Sequence, residues 1–410
     1  MKVLHVGYSD ILGGAAISMN RLHKAMCNKG INSEALVLKK LNEDLRVIGA
    51  SNNFEIFCNE IKIKLARQKK FFYKSDGKYS HSLNIFSSNI LKKIDEINPD
   101  IVNLHWINNE LISIKQISKI KQPLVWTFND MWPMCGGEHY VSDERFVYGY
   151  HKSSKRLDEK GIDLNKFLWN QKKRYFKKKI DHIICLSNWL KNITKKSFLF
   201  RENKISYVPP TLDNKTEWKP LVKLDARERL GLPSKKMILL FISTNGEKDY
   251  RKGYQFIHNY LEKFKSEDIL LIKIGNSKKK NFSFEINVNN IVHGDYKKLR
   301  EYYSASDLLL SPSVLEAFGQ VAIEAASCGI PTIGFKNTGL DDSVSHLKTG
   351  YLANYLDQSD FNNGVNFLIE KINNDKKYFY SNCLEFVNDR FTNEKIVDQY
   401  MKIYNEILNL

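Results

Sequence analysis

Apolar residues in this chain gather into short unbroken runs, and the stretches between the runs carry helical spacing. Runs at residues 2–8, 34–38, 99–105, 123–128, 181–186 and 205–210 predict one set of strands. Runs at residues 237–242, 269–274, 290–293, 308–310 and 332–335 predict a second. Runs of this length bounded by turn residues read as strands buried on both faces, the habit of parallel sheets. Between the first two runs, Ile17, Leu22, Ala25 and Met26 lie on one helical face that stops at Gly30. Phe318, Val321, Ala322, Ala325 and Ala326 repeat that spacing before Gly329 and Pro331 end it. Ser187 is placed to cap a following helix, and residues 366–410 read as helical. Strand and helix in alternation predict an α/β protein with doubly wound parallel sheets. Pro209 and Pro210, with the polar residues 211–219, read as a linker between the two sets. The expected domains are residues 1–208 and 209–388, with a closing helix over 389–410.

A chain of 410 residues is longer than one core usually supports, which agrees with two domains. The six cysteines are scattered, without close pairs, which argues against a zinc module or a disulfide framework and fits a reducing cytosol. Residues 1–8 already read as a strand, so no leader is expected, and nowhere do eighteen apolar residues run together. The formal net charge of +17 changes the picture more. Nucleic acid, an anionic bilayer surface and a phosphorylated substrate each account for it, as does plain compositional bias. No nucleic-acid-binding module is recognisable. Two basic stretches interleave aromatics: residues 59–78, and 152–179 with six cations in QKKRYFKKK. A lipid surface and a solvated loop compete for the first, and acceptor phosphate, anionic lipid and plain solvation for the second.

The candidate chemistry lies where predicted strands end. Gly13 and Gly14 follow the first strand, where glycine lets backbone approach a phosphate. His105 and Trp106 follow the strand at 99–105, and Asn129, Asp130 and His139 follow the strand at 123–128. Arg251 and Lys252 precede Gly253 at a predicted helix start. Glu316 sits in the loop after residues 308–310, and Glu324 lies eight positions on, within the helix. The amides of Phe318, Gly319 and Gln320 are donors at that helix's N-terminus, suited to a phosphate. Glu324 suits a pair of sugar hydroxyls, as acidic residues in nucleotide folds do with ribose. On spacing alone, two solvated glutamates on an amphipathic helix is the competing reading.

The full string LLLSPSVLEAFGQVAIEAASCGIPT resembles the donor-site signature of retaining glycosyltransferases of family 4, the GT-B type. TFNDMWPMCGGEHY resembles a subgroup that builds bacterial surface polysaccharides. The resemblance covers both domains. It implies two Rossmann-like domains facing across a cleft, the last helix crossing back to the first. It implies a UDP or GDP sugar as donor, no other cofactor and no metal. Gly13, Gly14, Arg251, Lys252 and the 318–320 amides then hold the diphosphate, Glu324 the ribose, and Glu316 the transferred sugar. Asp130 and Asn129 stand nearest the catalytic step, and His105, Trp106 and His139 on the acceptor side. Two departures mark this chain. Asn129 stands where many members carry a histidine, and no arginine follows the strand at 237–242, so Arg251 is expected to substitute. A front-face mechanism, in which the leaving phosphate takes the acceptor proton, is the family expectation. A lipid-linked saccharide acceptor is implied, with a cytoplasmic enzyme peripheral to the inner membrane face as one option. An epimerase and a non-catalytic sugar-nucleotide binder are the competing classes; the homologous blocks fit the epimerase poorly.

Overall fold

The computed structural model describes residues 1–410 except 79, 177–178, 263–267, 278–279, 290 and 292–293. It divides into two compact units, Met1–Pro209 with Ile396–Leu410, and Pro210–Lys395.

The first unit holds β1 (Lys2–Ser9), β2 (Asn32–Lys39), β3 (Val47–Ile48), β4 (Tyr73–Lys74), β5 (Ile101–Leu104), β6 (Leu124–Phe128), β7 (Lys160–Gly161), β8 (His182–Cys185) and β9 (Ile205–Tyr207). Seven of these form a sheet in the order β3-β2-β1-β5-β6-β8-β9, with every pair parallel. The short strands β4 and β7 pair antiparallel apart from it. Parallel strands need crossovers, and helices such as Gly14–Asn28 and Ile90–Ile97 supply them. Ser187 does cap its helix, accepting from the Leu190 amide. The final helix, Asn393–Leu408, lies on this unit. Its Ile396, Val397, Tyr400, Ile403 and Tyr404 share a core with Val3, Leu22, Ile101, Val125 and Ile184. Two buried strand residues fix its register: Asn103 donates to the Tyr404 hydroxyl at 2.7 Å, and Thr127 lies 3.5 Å from that of Tyr400.

The second unit holds β10 (Met237–Ile242), β11 (Ile269–Ile274), β12 (Glu285–Val288), β13 (Leu308–Leu310), β14 (Thr332–Phe335) and β15 (Gly350–Ala353). They form one parallel sheet in the order β12-β11-β10-β13-β14-β15. The strand expected at 290–293 falls for the most part outside the described residues, and the strand beside β11 is Glu285–Val288. Both sheets are doubly wound, and each changes direction next to its first strand: between β1 and β5, and between β10 and β13. Ligands of such sheets bind beyond the strand ends at that point.

Candidate active site

In the second unit the two loops at the switch point follow β10 and β13, and the predicted donor residues come from them. After β10 the chain makes a tight turn at Tyr250–Lys252, capped by Asp249, before the helix Tyr254–Leu261. Gly253 joins the two with φ 64°, and a Cβ there would meet the Pro312 carbonyl oxygen at 1.9 Å. Only glycine lets this turn press against the loop after β13. The Val314 amide then donates to the Arg251 carbonyl at 2.7 Å.

That contact brings Lys252 and Glu316 together, 64 residues apart in sequence, with Lys252 Nζ 2.5 Å from Glu316 Oε2. Ser313 Oγ donates to the same oxygen at 3.3 Å, and the Glu316 carbonyl accepts from the Gly339 amide at 2.8 Å. Burial by itself would raise the Glu316 pKa, but the Lys252 ammonium and Arg251 guanidinium outweigh it and hold the carboxyl below its ordinary range. Arg251 stands next to Lys252 on the same turn. Its guanidinium lies 2.9 Å from Asp249 Oδ2 and donates to the Leu315 carbonyl at 3.2 Å, so it braces the two loops.

The helix predicted after Glu316 runs Gln320–Ser327. Gly319 caps it at φ 87°, where a Cβ would meet Leu340 Cδ2 at 2.5 Å. Phe318, Gly319 and Gln320 thus stand at the N-terminal end, two to four residues after Glu316. Glu324 is buried in the middle of the helix, and its Oε2 accepts from Tyr303 Oη at 2.9 Å.

In the first unit, Gly13 caps the helix that begins at Gly14, in the loop after β1. His105, after β5, turns inward. Its Nε2 lies 3.0 Å from His5 Nδ1 on β1, and His23 packs against His5 with ring centroids 6.2 Å apart. Burial pushes the His105 pKa down to about 3. Burial also lowers that of His23, to about 4, with Asp44 pulling the other way. An imidazole so placed is interior structure rather than a surface for an acceptor.

Trp106, Asp130 and His139 do converge. Asp130 Oδ2 lies 2.6 Å from His139 Nδ1 and accepts from Trp106 Nε1 at 3.0 Å, while Oδ1 accepts from the Trp132 amide at 2.9 Å. The Trp106 and His139 rings stack at 5.5 Å. Asn129 donates to the Thr127 carbonyl at 3.0 Å, and its Oδ1 has no partner among the described residues.

Two residues that sequence reasoning passed over hold this region. Ser82 Oγ lies 2.8 Å from His139 Nε2. Lys172, one of the six cations read as solvated or lipid-facing, is buried. It donates to the carbonyls of Trp132 at 2.5 Å, Gly136 at 2.6 Å and Cys135 at 3.0 Å. Burial brings its pKa down to about 7. Helical phasing carried that signal, since Leu164, Leu168, Trp169 and Phe176 share its buried face. Nothing in the sequence linked Ser82 to His139.

Residues 12–215 match the family profile described as Glycosyltransferase Family 4, and residues 222–382 match Glycosyl transferases group 1. An uncharacterised 41.2 kDa protein of the cps region of Klebsiella pneumoniae is 25% identical over 416 residues, covering 98% of this chain and 99% of that protein. Among solved structures, Anabaena HepE in complex with UDP-glucose superposes with TM-score 0.64 at 15% identity, over 99% of this chain and 100% of that one. WaaG, a glycosyltransferase involved in lipopolysaccharide biosynthesis, gives 0.63 at 15% identity, over 97% and 98%. These neighbours share the GT-B fold. Two profiles that together span nearly all of the sequence, laid over two doubly wound sheets with the acidic signature at a switch point, place the chain in glycosyltransferase family 4.

Proposed function

We propose that this glycosyltransferase moves a hexosyl group, with retention, from a UDP or GDP sugar to a lipid-linked saccharide during surface polysaccharide synthesis. The Lys252–Glu316 pair at the switch point of the second unit carries the reading. A cation at that point neutralises charge as the diphosphate leaves, and donors at a helix N-terminus add to it. In this proposal Lys252 and the 318–320 amides hold the diphosphate, and no metal ion is needed. Glu324 takes the ribose hydroxyls, and Glu316 faces the sugar as positive charge develops at its anomeric carbon. The first unit, with the Trp106–Asp130–His139 group, receives the acceptor. HepE was crystallised with UDP-glucose, WaaG acts in lipopolysaccharide biosynthesis, and the Klebsiella relative lies in a cps region, which supports the substrate classes.

A thermal-shift screen of UDP and GDP sugars tests the donor. One of them is expected to raise the melting temperature, since a ligand at 100 times its Kd stabilises by about 2.7 kcal/mol. Glu324→Gln is expected to weaken that shift. A flat response to every nucleotide sugar would sink the proposal.

The membrane side has its own observation. The helix Asn53–Arg67 exposes Phe54, Phe57, Ile61 and Leu65 at helical spacing, followed by exposed Phe71 and Phe72. Lys62, Lys64 and Arg67 lie on the same helix. An apolar stripe beside cations suits the headgroup region of an anionic bilayer. The double substitution Phe54→Ser with Phe57→Ser is expected to weaken sedimentation with phosphatidylglycerol vesicles about tenfold or more, from the apolar area lost. Equal binding by both proteins would remove the membrane from the proposal. Among the described residues no helix is long and apolar enough to cross a membrane.

A further inference from the structure

In the second unit the helices Tyr296–Ala305 and Gln320–Ser327 pack against each other. Tyr303 joins them, its Oη donating to Glu324 Oε2 at 2.9 Å. Tyr303 is wholly buried and so meets no ligand itself, while Glu324 keeps 6% of its surface exposed. The other buried residues of the second helix are mostly apolar: Ala322, Ile323, Ala325 and Ala326. A carboxylate in that company costs free energy unless it is paired, and an apolar pair of similar size would pack at least as well. Stability alone gives no reason for a glutamate here.

The ring of Tyr303 is held without help from its hydroxyl. Trp218 stands edge-on to it, with ring centroids 5.8 Å apart. The segment that carries Trp218 is tied to both helices. Arg300 donates to the carbonyls of Thr216 at 3.1 Å and Glu217 at 3.2 Å, and Ser327 Oγ donates to the Trp218 carbonyl at 2.9 Å. A buried ring walled in this way delivers its hydroxyl to a fixed point. A carboxylate oxygen only accepts, so the Tyr303 proton points at Glu324 and fixes the rotation of the carboxylate, a torsion that is otherwise broad. Glu324 lies four residues after Gln320, about one helical turn from the amides assigned to the diphosphate.

We propose that Tyr303 is a positioning residue of the nucleotide site, holding the Glu324 carboxylate in the orientation that takes two neighbouring ribose hydroxyls. The inference deepens the transferase reading above and rests on it. A pair of adjacent hydroxyls meets a carboxylate through two hydrogen bonds, and their directionality demands one orientation of the acceptor. A glutamate free to turn would lose that freedom each time a nucleotide binds. Tyr303 removes the cost in advance, which is preorganisation. Tyr303 remains a donor throughout, and no proton is transferred. Its effect therefore falls on nucleotide affinity and on the preference for ribose over a sugar that lacks the hydroxyls.

Titration calorimetry with UDP and GDP, each beside its 2′,3′-dideoxy form, tests it on the intact protein. For whichever base binds, the wild type is expected to take the ribonucleotide about 10–100-fold more tightly than the dideoxy form, the usual worth of hydrogen bonds to a charged group. Tyr303→Phe keeps the ring and its packing against Trp218. It is expected to lose about tenfold in affinity for the ribonucleotide while the dideoxy form binds as before. A tyrosine that only supported the fold would weaken both forms alike. A ratio between the two forms that Tyr303→Phe leaves unchanged, whether or not both affinities fall, overturns the inference. Glu324→Gln supplies the second arm. Because the two groups touch, adding Tyr303→Phe to it should cost the ribonucleotide little more than Glu324→Gln alone. Losses that simply add would place the effect of Tyr303 elsewhere and overturn the inference as well. A wild type that binds neither nucleotide, or binds ribo and dideoxy forms alike, instead removes the ribose role of Glu324, and the inference falls with it.

Discussion

Glu316→Gln is expected to slow sugar transfer about 10²–10³-fold while UDP binds as tightly as before or more tightly. The rate loss is what removing one preorganised electrostatic group from a transition state commonly costs. The affinity follows from the pair itself. Lys252 Nζ sits 2.5 Å from Glu316 Oε2, so an arriving diphosphate competes with a carboxylate for the same ammonium. Glutamine removes the competitor's charge and leaves Lys252 to the diphosphate. Lys252→Met should behave in the opposite way. It deletes a charge-assisted contact worth about 1.5–3 kcal/mol, so UDP affinity falls about 10–100-fold together with the rate. It also leaves Glu316 mostly buried without its cation, which pushes that carboxyl's pKa up. Titration calorimetry with UDP, beside kcat and KM for each variant, separates the two residues. If Glu316→Gln loses UDP affinity and keeps normal turnover, the carboxylate is a ligand for the nucleotide and has no part in the sugar's transition state. Because the groups touch, the double variant should fall short of the sum of the single losses.

The same pair marks the boundary of what the chain discloses in one dimension. MILLFI and ILLIKI were legible as strands to the residue, because a parallel strand buried on both faces is apolar throughout. The strand beside them was not. β12 begins with Glu285, whose buried carboxylate lies 3.3 Å from Lys273 on β11. Its opening charge hides β12 from any count of apolar residues. β3 is two residues long, and β15 sits at the far sheet edge with Tyr351 half-exposed, so neither shows a run. In the site, Lys252 and Glu316 could each be named from their neighbours in sequence. Their contact depends on β10 lying beside β13, which is topology, and on Gly253 tolerating Pro312. Arg251 shows the converse. Its position next to Lys252 suggested the same task, yet Asp249 two residues earlier and the Leu315 carbonyl take its guanidinium. Ser82 was out of reach, since 57 residues separate it from His139 and only the fold closes that distance.

Lowering the pH from 7.5 to 5 is expected to destabilise the first unit by about 4 kcal/mol through His23 and His105, with His5 adding in the same direction, and the chemistry uses none of the three. His5, His23 and His105 are buried. Burial lowers all three pKa values: to about 3 for His105, to about 4 for His23 against the pull of Asp44, and well below the ordinary value for His5, where the neighbouring His105 and His23 add to burial. In the unfolded chain each returns to about 6.5. As pH falls below that value the unfolded chain binds protons that the folded unit refuses, so the equilibrium moves toward unfolding. Stability is full above pH 6.5 and drains away down to the folded pKa values near 3 to 4. His23 and His105 each lose about 2 kcal/mol by pH 5, and His5 acts in the same direction. His182 shifts in the same direction through burial, while Glu110 and Glu138, raised by burial, act in the opposite sense. Carboxyls held low, such as Glu316, lose their contribution only below about 4.5, outside the window in which the imidazoles act. Against the 5–15 kcal/mol that usually holds a domain folded, the loss is large enough to bring the unit near its midpoint. Urea titrations followed by tryptophan fluorescence at the two pH values would measure it, because Trp106, Trp126, Trp132, Trp169 and Trp189 all lie in this unit. His23→Asn should remove the part of the pH dependence that its pKa of about 4 accounts for, about 2 kcal/mol. Equal urea midpoints at pH 5 and 7.5 would mean that the three imidazoles accept protons in place. In that event the His5–His105 contact at 3.0 Å would no longer be read as a pair of neutral rings.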